Sequence, residues 1–269
     1  MDIKRPSAQT MPAQRRREVV RMVEATGHAT VTELADRFLV SLDTIRRDLD
    51  ELAATGLITR ARGGALSIPQ GPNSDLPVTS RTDHSSEAKS RIASATVDLL
   101  ADGQTIFFNG GTTTVAVAAQ LSKLANLTVI TSNLLVPPVL DSRRVREVYM
   151  VGGSVRINAA VTVGPLVFPA TRDTVAQSIN ADVAVIGVGG VSASAGFSMT
   201  NMHEAEMTRS MLEQAARRII VCDSSKFERF VFAPVGPLEV ANVLVTDVRP
   251  EGPSLEALQK SGIELVVAD

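Results

Sequence analysis

The chain has no tryptophan, one tyrosine and one cysteine, and aromatic residues make up only 3% of its 269 positions. A lone cysteine, Cys222, excludes a disulfide within the chain and argues against a cysteine-built metal centre. The three histidines, His28, His84 and His203, are far apart and lack ligand spacing, so neither a metal nor a cofactor is expected. So few aromatics speak against stacking platforms for single-stranded nucleic acid. No apolar run reaches the roughly 18 residues of a membrane span, and the basic start lacks an apolar core and a cleavage site. A cytoplasmic protein without membrane contact is expected. The net charge of −2 argues against a generic polyanion binder.

What is present is ordinary globular material: 44% hydrophobic and 21% charged residues, enough for one large or two medium domains. The average charge hides an asymmetry. Residues 1–66 hold 11 Lys and Arg against 9 Asp and Glu, whereas the remainder holds 16 against 20. Lys4, Arg5, Arg15, Arg16, Arg17 and Arg21 all fall at the front. A clustered basic front on an acidic body is the footprint of a nucleic-acid module, and these side chains are candidate phosphate contacts.

Residues 67–80 hold three prolines, a glycine and many small polar residues, which cannot sustain a helix and bury little. They read as a linker between a first domain, 1–66, and a second, 81–269. In the first, a helix begins at Pro12 with Val19, Val20, Met22 and Val23 on one side and stops at Gly27. A second helix begins near Thr30 or Thr32 and buries Leu34, Ala35 and Phe38. Ser41 caps a third, with Leu42, Ile45, Leu49 and Leu52 as its apolar stripe, and Gly56 ends it. Residues 57–66 read as two short strands around a turn. Three helices and a β-wing in this order make a winged helix-turn-helix. Ser41, Asp43, Thr44, Arg46 and Arg47 lie on or beside the face away from the stripe, with the reach and the donors to read base edges in a major groove. Arg60 and Arg62 on the wing would contact phosphates. A plainer reading of that face is a solvated surface held by an Asp43–Arg47 pair.

The second domain alternates apolar strands with helices, which predicts an α/β fold with a doubly wound, mostly parallel sheet. Strands are expected at 105–108, 127–130, 145–151, 181–188, 219–223 and 243–247, with helices at 87–100, 115–124 and 204–217. Between the first strand and its helix lies Asn109-Gly110-Gly111-Thr112-Thr113-Thr114. A glycine turn and a hydroxyl cluster at a helix N-terminus suit an anion. It is neither a Walker loop nor GxGxxG, and many α/β proteins need a tight turn there in any case. Ligands of such sheets bind beyond the carboxyl ends of the strands. The candidates at those ends are Gly111, Thr112, Thr113, Asn133, Gly152 and Gly153, with Arg156 as a further one, for a phosphorylated metabolite. Plainer roles are open to several neighbours. Asp223 suits a turn cap with Lys226 as its ion partner, Glu204 and Glu206 suit a helix N-terminus without any ligand, Cys222 is expected buried and inert, and Arg143, Arg144 and Arg146 read as a solvated edge.

Val31-Thr32-Glu33-Leu34-Ala35, Val40-Ser41, Thr44-Ile45-Arg46-Arg47-Asp48-Leu49 and Gly56-Leu57-Ile58-Thr59-Arg60-Ala61-Arg62-Gly63-Gly64-Ala65 resemble the DeoR family of bacterial transcriptional regulators. Lys89, Gly111-Thr112-Thr113, Gly152-Gly153, Gly164, Asp182, Gly196, Glu204 and Asp223-Ser224-Ser225-Lys226-Phe227 resemble that family's sensor domain, so the likeness spans nearly the whole chain. The family's sensor domain is related to sugar-phosphate isomerases and aminosugar-phosphate deaminases and typically takes a sugar phosphate. The resemblance implies phosphate at the Gly-Thr-Thr turn, with Asp182, Glu204 and Lys226 near the sugar or supporting the site. It also implies a repressor of a carbohydrate operon that binds double-stranded operator DNA as a homo-oligomer, dimer or tetramer. Four positions depart from the family pattern: Leu39 replaces a small or polar turn residue, Arg62 a His, Asn109 an Asp and Gly110 a Ser. The neutral Asn109 removes a carboxylate that would accept hydrogen bonds from sugar hydroxyls. Two other readings follow from the same residues. One is an isomerase or deaminase on sugar phosphates with an accessory DNA-binding module, its acid–base groups drawn from Asp182, Glu204 and Lys226. The other is a DNA-binding module on a ligand-free dimerisation domain.

Overall fold

A computed structural model describes residues 12–26, 28–55, 57–61, 63–67, 86–166 and 179–269. The chain divides into two compact units, Met1–Leu76 and Pro77–Asp269. The boundary falls inside the stretch read as a linker, which apart from Ser67 lies outside the described residues.

The first unit contains α1 (Pro12–Thr26), β1 (His28–Thr30), α2 (Val31–Phe38), α3 (Leu42–Ala54), β2 (Ile58–Ala61) and β3 (Gly64–Ser67). Its sheet is antiparallel in the order β1-β3-β2. Strand β1 was not expected: three residues directly after a helix carry no alternation to read. Gly64 makes that pairing feasible, since a side chain there would meet the Ala29 carbonyl oxygen at 2.3 Å. Thr30 and Glu33 form a reciprocal cap at the start of α2: the Glu33 N–H donates to Thr30 Oγ1 at 3.2 Å and the Thr30 N–H to Glu33 Oε2 at 2.8 Å. Val19, Val23, Leu34, Phe38, Ile45, Leu49, Leu52 and Ile58 share one core. Leu42 does not join it. That side chain is 44% exposed, because it opens α3 on the flank of the stripe; the buried fourth member is Asp48.

The second unit is built on a seven-stranded, wholly parallel sheet. Its strands are β4 (Thr105–Phe108), β5 (Leu127–Thr131), β6 (Val145–Met150), β9 (Ala181–Gly187), β12 (Ala215–Val221), β14 (Val243–Thr246) and β15 (Glu264–Val267). They lie in the order β15-β14-β12-β9-β4-β5-β6. Each central strand is apolar on both faces because both are covered. Ile106, Phe108, Val183, Val185, Ile219 and Val221 pack with residues of α4 (Ser86–Val97) and α5 (Thr112–Ala119). The intervening Phe107, Ala184, Ile186 and Ile220 pack with α6 (Met202–Glu213) and α7 (Gly252–Ser261).

Two small antiparallel pieces escaped the sequence reading. One is the hairpin β7 (Ser154–Arg156) and β8 (Val161–Val163); the other is a three-stranded sheet of β10 (Gly190–Ser192), β11 (Gly196–Met199) and β13 (Ala233–Gly236). Their strands are three or four residues long, too short for a period to show. The helix expected at 204–217 ends at Glu213, and Arg217 lies in β12. The two arginines of β12 are satisfied from neighbouring segments, Arg217 by the Leu99 carbonyl at 3.0 Å and Arg218 by Asn242 Oδ1 at 3.2 Å.

Candidate functional site

Two sites were expected, one in each unit. In the first, Ser41 caps α3: its Oγ accepts from the Thr44 N–H at 3.2 Å and lies 2.8 Å from Thr44 Oγ1. Asp43, Arg46 and Arg47 are exposed and Thr44 is half-buried. The expected Asp43–Arg47 pair is replaced by one a residue shorter, Arg46 Nη1 to Asp43 Oδ1 at 2.8 Å. Arg47 keeps the outward direction, since it lies about 150° from the centre of the buried stripe at roughly 100° per residue. Arg60 on β2 is partly committed: Nε reaches Asp50 Oδ1 at 2.9 Å and Nη1 donates to the Gly64 carbonyl at 3.0 Å. Arg62, Lys4 and Arg5 lie outside the described residues.

Arg15 and Arg16, expected among the phosphate contacts, are held inside the unit. Arg15 Nε lies 2.6 Å from Asp48 Oδ2, with both side chains under one tenth exposed, and Arg16 reaches Asp48 Oδ1 at 3.3 Å and also pairs with Glu51. The acid in the Thr-Ile-Arg-Arg-Asp-Leu string thus pins α1 to α3. A buried carboxylate and a guanidinium need each other.

In the second unit α5 starts three residues earlier than expected, so Thr112 and Thr113 form its first turn. Its N-cap is Gly111, at φ 138°, with no side chain capping the helix. The first N–H groups of α5 therefore point out beyond the carboxyl end of β4, near the middle of the parallel sheet. Thr112 and Thr113 are half-exposed beside them. Thr114 is buried, its hydroxyl donating to the Gly111 carbonyl at 2.8 Å and the Asn109 carbonyl at 3.0 Å. Asn133, expected to touch a ligand, sits behind the turn. It is buried, and Nδ2 donates to the Gly111 carbonyl at 3.0 Å while Oδ1 accepts from the Leu135 N–H.

Asn109 has a different task from the one its place suggested. Oδ1 accepts from the Gly187 N–H at 2.8 Å, and Nδ2 donates to the Gly187 carbonyl at 2.9 Å and to Thr208 Oγ1 at 3.1 Å. Both ends of the amide are used to tie β4 to β9 and α6. A carboxylate could not make the donor half of that bridge.

Glu204, in the first turn of α6, pairs with Arg156 at the end of β7, and its Oε2 lies 3.6 Å from where a side chain on Gly110 would begin. A side chain on Gly110 would also run into Val161 Cγ1 at 2.5 Å, so the hairpin closes over this turn because residue 110 has none. The Gly152-Gly153 turn serves that hairpin. A Cβ on Gly152 (φ 87°) would meet Met207 Cε at 2.9 Å, and the Gly153 N–H is spent on the Val163 carbonyl at 2.9 Å.

The structure separates Asp182 from this group. It stands at the amino end of β9, accepting from the Thr105 N–H at 2.7 Å. Gly187, beside Asn109, is five residues further along the strand, about 16 Å away. Lys226 ends the short turn after β12, at the carboxyl end of the sheet, and Asp223 caps that turn by accepting from the Ser225 N–H at 3.0 Å. Cys222 is buried, and burial first, then the charges of Asp223 and Asp247, push its thiol up and disfavour the thiolate. A cleft of about 610 Å³ lies elsewhere, lined by Ser194, Gly196, Pro234, Leu238 and Lys260 among others. Among the described residues no cluster of His, Cys, Asp and Glu is arranged to hold a metal, and no helix is long and apolar enough to cross a membrane.

Residues 84–248 match the DeoR C terminal sensor domain and residues 15–70 the DeoR-like helix-turn-helix domain. The chain belongs to the DeoR family. It is a DNA-binding transcriptional regulator. Its relatives include the HTH-type transcriptional regulator GlpR of Haloferax volcanii, 31% identical over 95% of this chain and 98% of the relative. The glycerol-3-phosphate regulon repressor of Escherichia coli is also 31% identical, over 94% of this chain and 97% of its own. Solved structures are more remote. A D-ribose-5-phosphate isomerase in complex with phospho-erythronic acid has a TM-score of 0.37 at 15% identity, covering 53% of this chain and 54% of its own. The δ subunit of eIF2B from Chaetomium thermophilum reaches 0.43 at 11% identity, covering 88% and 73%.

For this DeoR-family chain the sequence reading missed Asp48 and Arg156–Glu204 as pairs. The first had a signal: an Asp falling among apolar residues at helical spacing needs a partner. The second joins residues 48 positions apart, and nothing local marks it.

Proposed function

We propose that the chain is a repressor of a carbohydrate operon whose hold on operator DNA is set by a phosphorylated sugar or polyol seated at the start of α5. The observation that carries this reading is the uncapped first turn of α5, with Gly111 allowing close approach and Thr112 and Thr113 beside it, at the carboxyl end of a central parallel strand. Phosphate takes the N–H groups and the two hydroxyls; Arg156 and Glu204 border the turn and meet the rest of the ligand. Gly152, Gly153 and Asn133 shape the site from behind, Lys226 flanks it, and Asp182 has no part in it. The name of one relative, a glycerol-3-phosphate regulon repressor, supports a small phosphorylated polyol or sugar as the ligand.

DNA is read by Ser41, Asp43, Thr44, Arg46 and Arg47, with Arg60 and Arg62 on the wing. One winged helix gives little affinity, so a homo-oligomer on repeated half-sites follows. The exposed Val148 and Met150 on the outer strand β6 are consistent with such an assembly. The chain is inferred to be non-catalytic. An isomerase needs its base and acid at one carbon, and here Asp182 stands at the far end of the sheet while Asn109 is neutral and fully bonded.

The test is release of bound DNA. Glycerol 3-phosphate, ribose 5-phosphate, glucose 6-phosphate and glucosamine 6-phosphate are titrated into the complex of the full chain with genomic fragments it retains. One of them is expected to release the DNA. Thr112→Val and Thr113→Val should each raise the concentration needed about tenfold or more, the weight of a hydroxyl bonded to a charged group, with DNA affinity unchanged. Release that is indifferent to both substitutions would remove the ligand from α5.

A further inference from the structure

The start of α3 carries two apolar side chains that the core does not use. Leu42 is 44% exposed and Leu39, in the turn before it, is 70% exposed. Single exposed leucines are commonplace. Leu39 is less easily passed over, because it closes α2 in the left-handed region, at φ 54° and ψ 43°, where glycine is unstrained and leucine is not. Its side chain is neither buried nor suited to its backbone, so neither packing nor turn geometry accounts for a leucine there.

Position accounts for it. Leu42 is the first residue of α3, one turn ahead of Arg46 and within roughly 40° of it around the helix axis. It therefore stands on the same flank as the polar face formed by Asp43, Arg46 and Arg47. The N-terminal residues of a recognition helix enter the major groove deepest. There the only apolar group on a base edge is the 5-methyl of thymine. Arg46 is drawn to Asp43 at 2.8 Å, which puts a polar border beside Leu42, and Leu39 lies three residues before it in the turn that leads into α3.

On the reading of α3 as the helix that enters the major groove, we propose that Leu42, with Leu39 in the turn before it, is an apolar specificity reader for thymine methyl groups in the operator. The charged residues of α3 and the wing supply hydrogen bonds and phosphate contacts; the two leucines select T over C at the positions they cover.

Fragments retained from total genomic DNA by the full chain at near-physiological salt are resynthesised with deoxyuridine replacing each thymidine in turn, which removes the methyl and nothing else. Binding is followed by fluorescence anisotropy. One or two positions per half-site should weaken about fourfold, the weight of one buried methyl group. Leu42→Ala should bind thymine and uracil forms equally at the position Leu42 covers. Leu39→Gly should unfold at a higher temperature than the parent, since it relieves the backbone, yet lose affinity for the thymine form. No sensitivity to any single uracil would overturn the proposal while leaving specific DNA binding intact. A thymine–uracil difference that survives at every sensitive position in Leu42→Ala, or in Leu39→Gly, would overturn the assignment of that residue.

Discussion

Asp48 gives the sharpest mechanical prediction. It is buried under α3 with the Arg15 guanidinium 2.6 Å away and Arg16 at 3.3 Å, and the Arg15 and Asp48 side chains are 9% and 7% exposed. Asp48→Ala removes the acceptor and leaves Arg15 charged in a nearly dry setting. Breaking one side of a buried pair costs about 3–5 kcal/mol, and burial this deep leaves solvent little room to screen the loss. Arg16 retains Glu51 and adds less. The opening equilibrium of the first unit should therefore rise by roughly two to nearly four powers of ten, and DNA binding should fail with it. Replacing both partners, Arg15→Met with Asp48→Leu, should recover most of the loss, because the cost lies in the unpaired charge rather than in the missing attraction. Hydrogen exchange of the α1 and α3 amides in the full chain, read by mass spectrometry, reports the local opening without needing a chromophore that this unit lacks. Unchanged protection of α3 in Asp48→Ala, or a double variant more open than the single one, would refute the reasoning.

Other outcomes follow from the same structure. Arg47→Ala should abolish preference for particular DNA sites while leaving circular dichroism and thermal unfolding as they were; surviving preference would move base reading elsewhere on α3. Asn109→Asp places a carboxyl against the Gly187 carbonyl, 2.9 Å from the present amide nitrogen. Burial and that oxygen hold the new group above its unfolded value, so the protonated, folded form is favoured at low pH and the stability deficit against the parent widens as pH rises. A deficit in urea midpoint that is constant from pH 5 to pH 8 would count against the bridge. Arg143 holds the half-buried Asp141 carboxylate down at about 2 through hydrogen bonds and charge; Arg143→Gln should bring it back toward the ordinary range in an NMR titration. Cys222 should resist iodoacetamide in the folded protein at pH 8 and react on unfolding, and rapid labelling of the native chain would mean that β12 opens.

Composition and periodicity made much of this molecule legible. Short apolar runs such as residues 183–187, each set between helical stretches, read as strands covered on both faces, which is what a parallel sheet between two helix layers supplies. Ser41 and Thr30 announced helix starts because a hydroxyl there satisfies an orphan N–H. Where the reading went astray, the deciding contact lay far along the chain. Asn109 looked like a lost ligand group until its partners at Gly187 and Thr208 were seen. Asp182 looked chemical, yet in a parallel sheet a residue's distance from the carboxyl edge decides what it can touch. Arg15 and Arg16 looked like phosphate contacts, and a single buried acid some thirty residues on claimed both. Leu42 failed as core because a stripe narrows where a helix begins.

The most direct test of the central claim is selection of total genomic DNA fragments by the purified full chain at near-physiological salt, with and without a mixture of sugar phosphates. The account predicts a few retained sites with repeated half-sites next to carbohydrate genes, lost again when the mixture is present. Random retention in both conditions, or specific retention that no sugar phosphate alters, would contradict it.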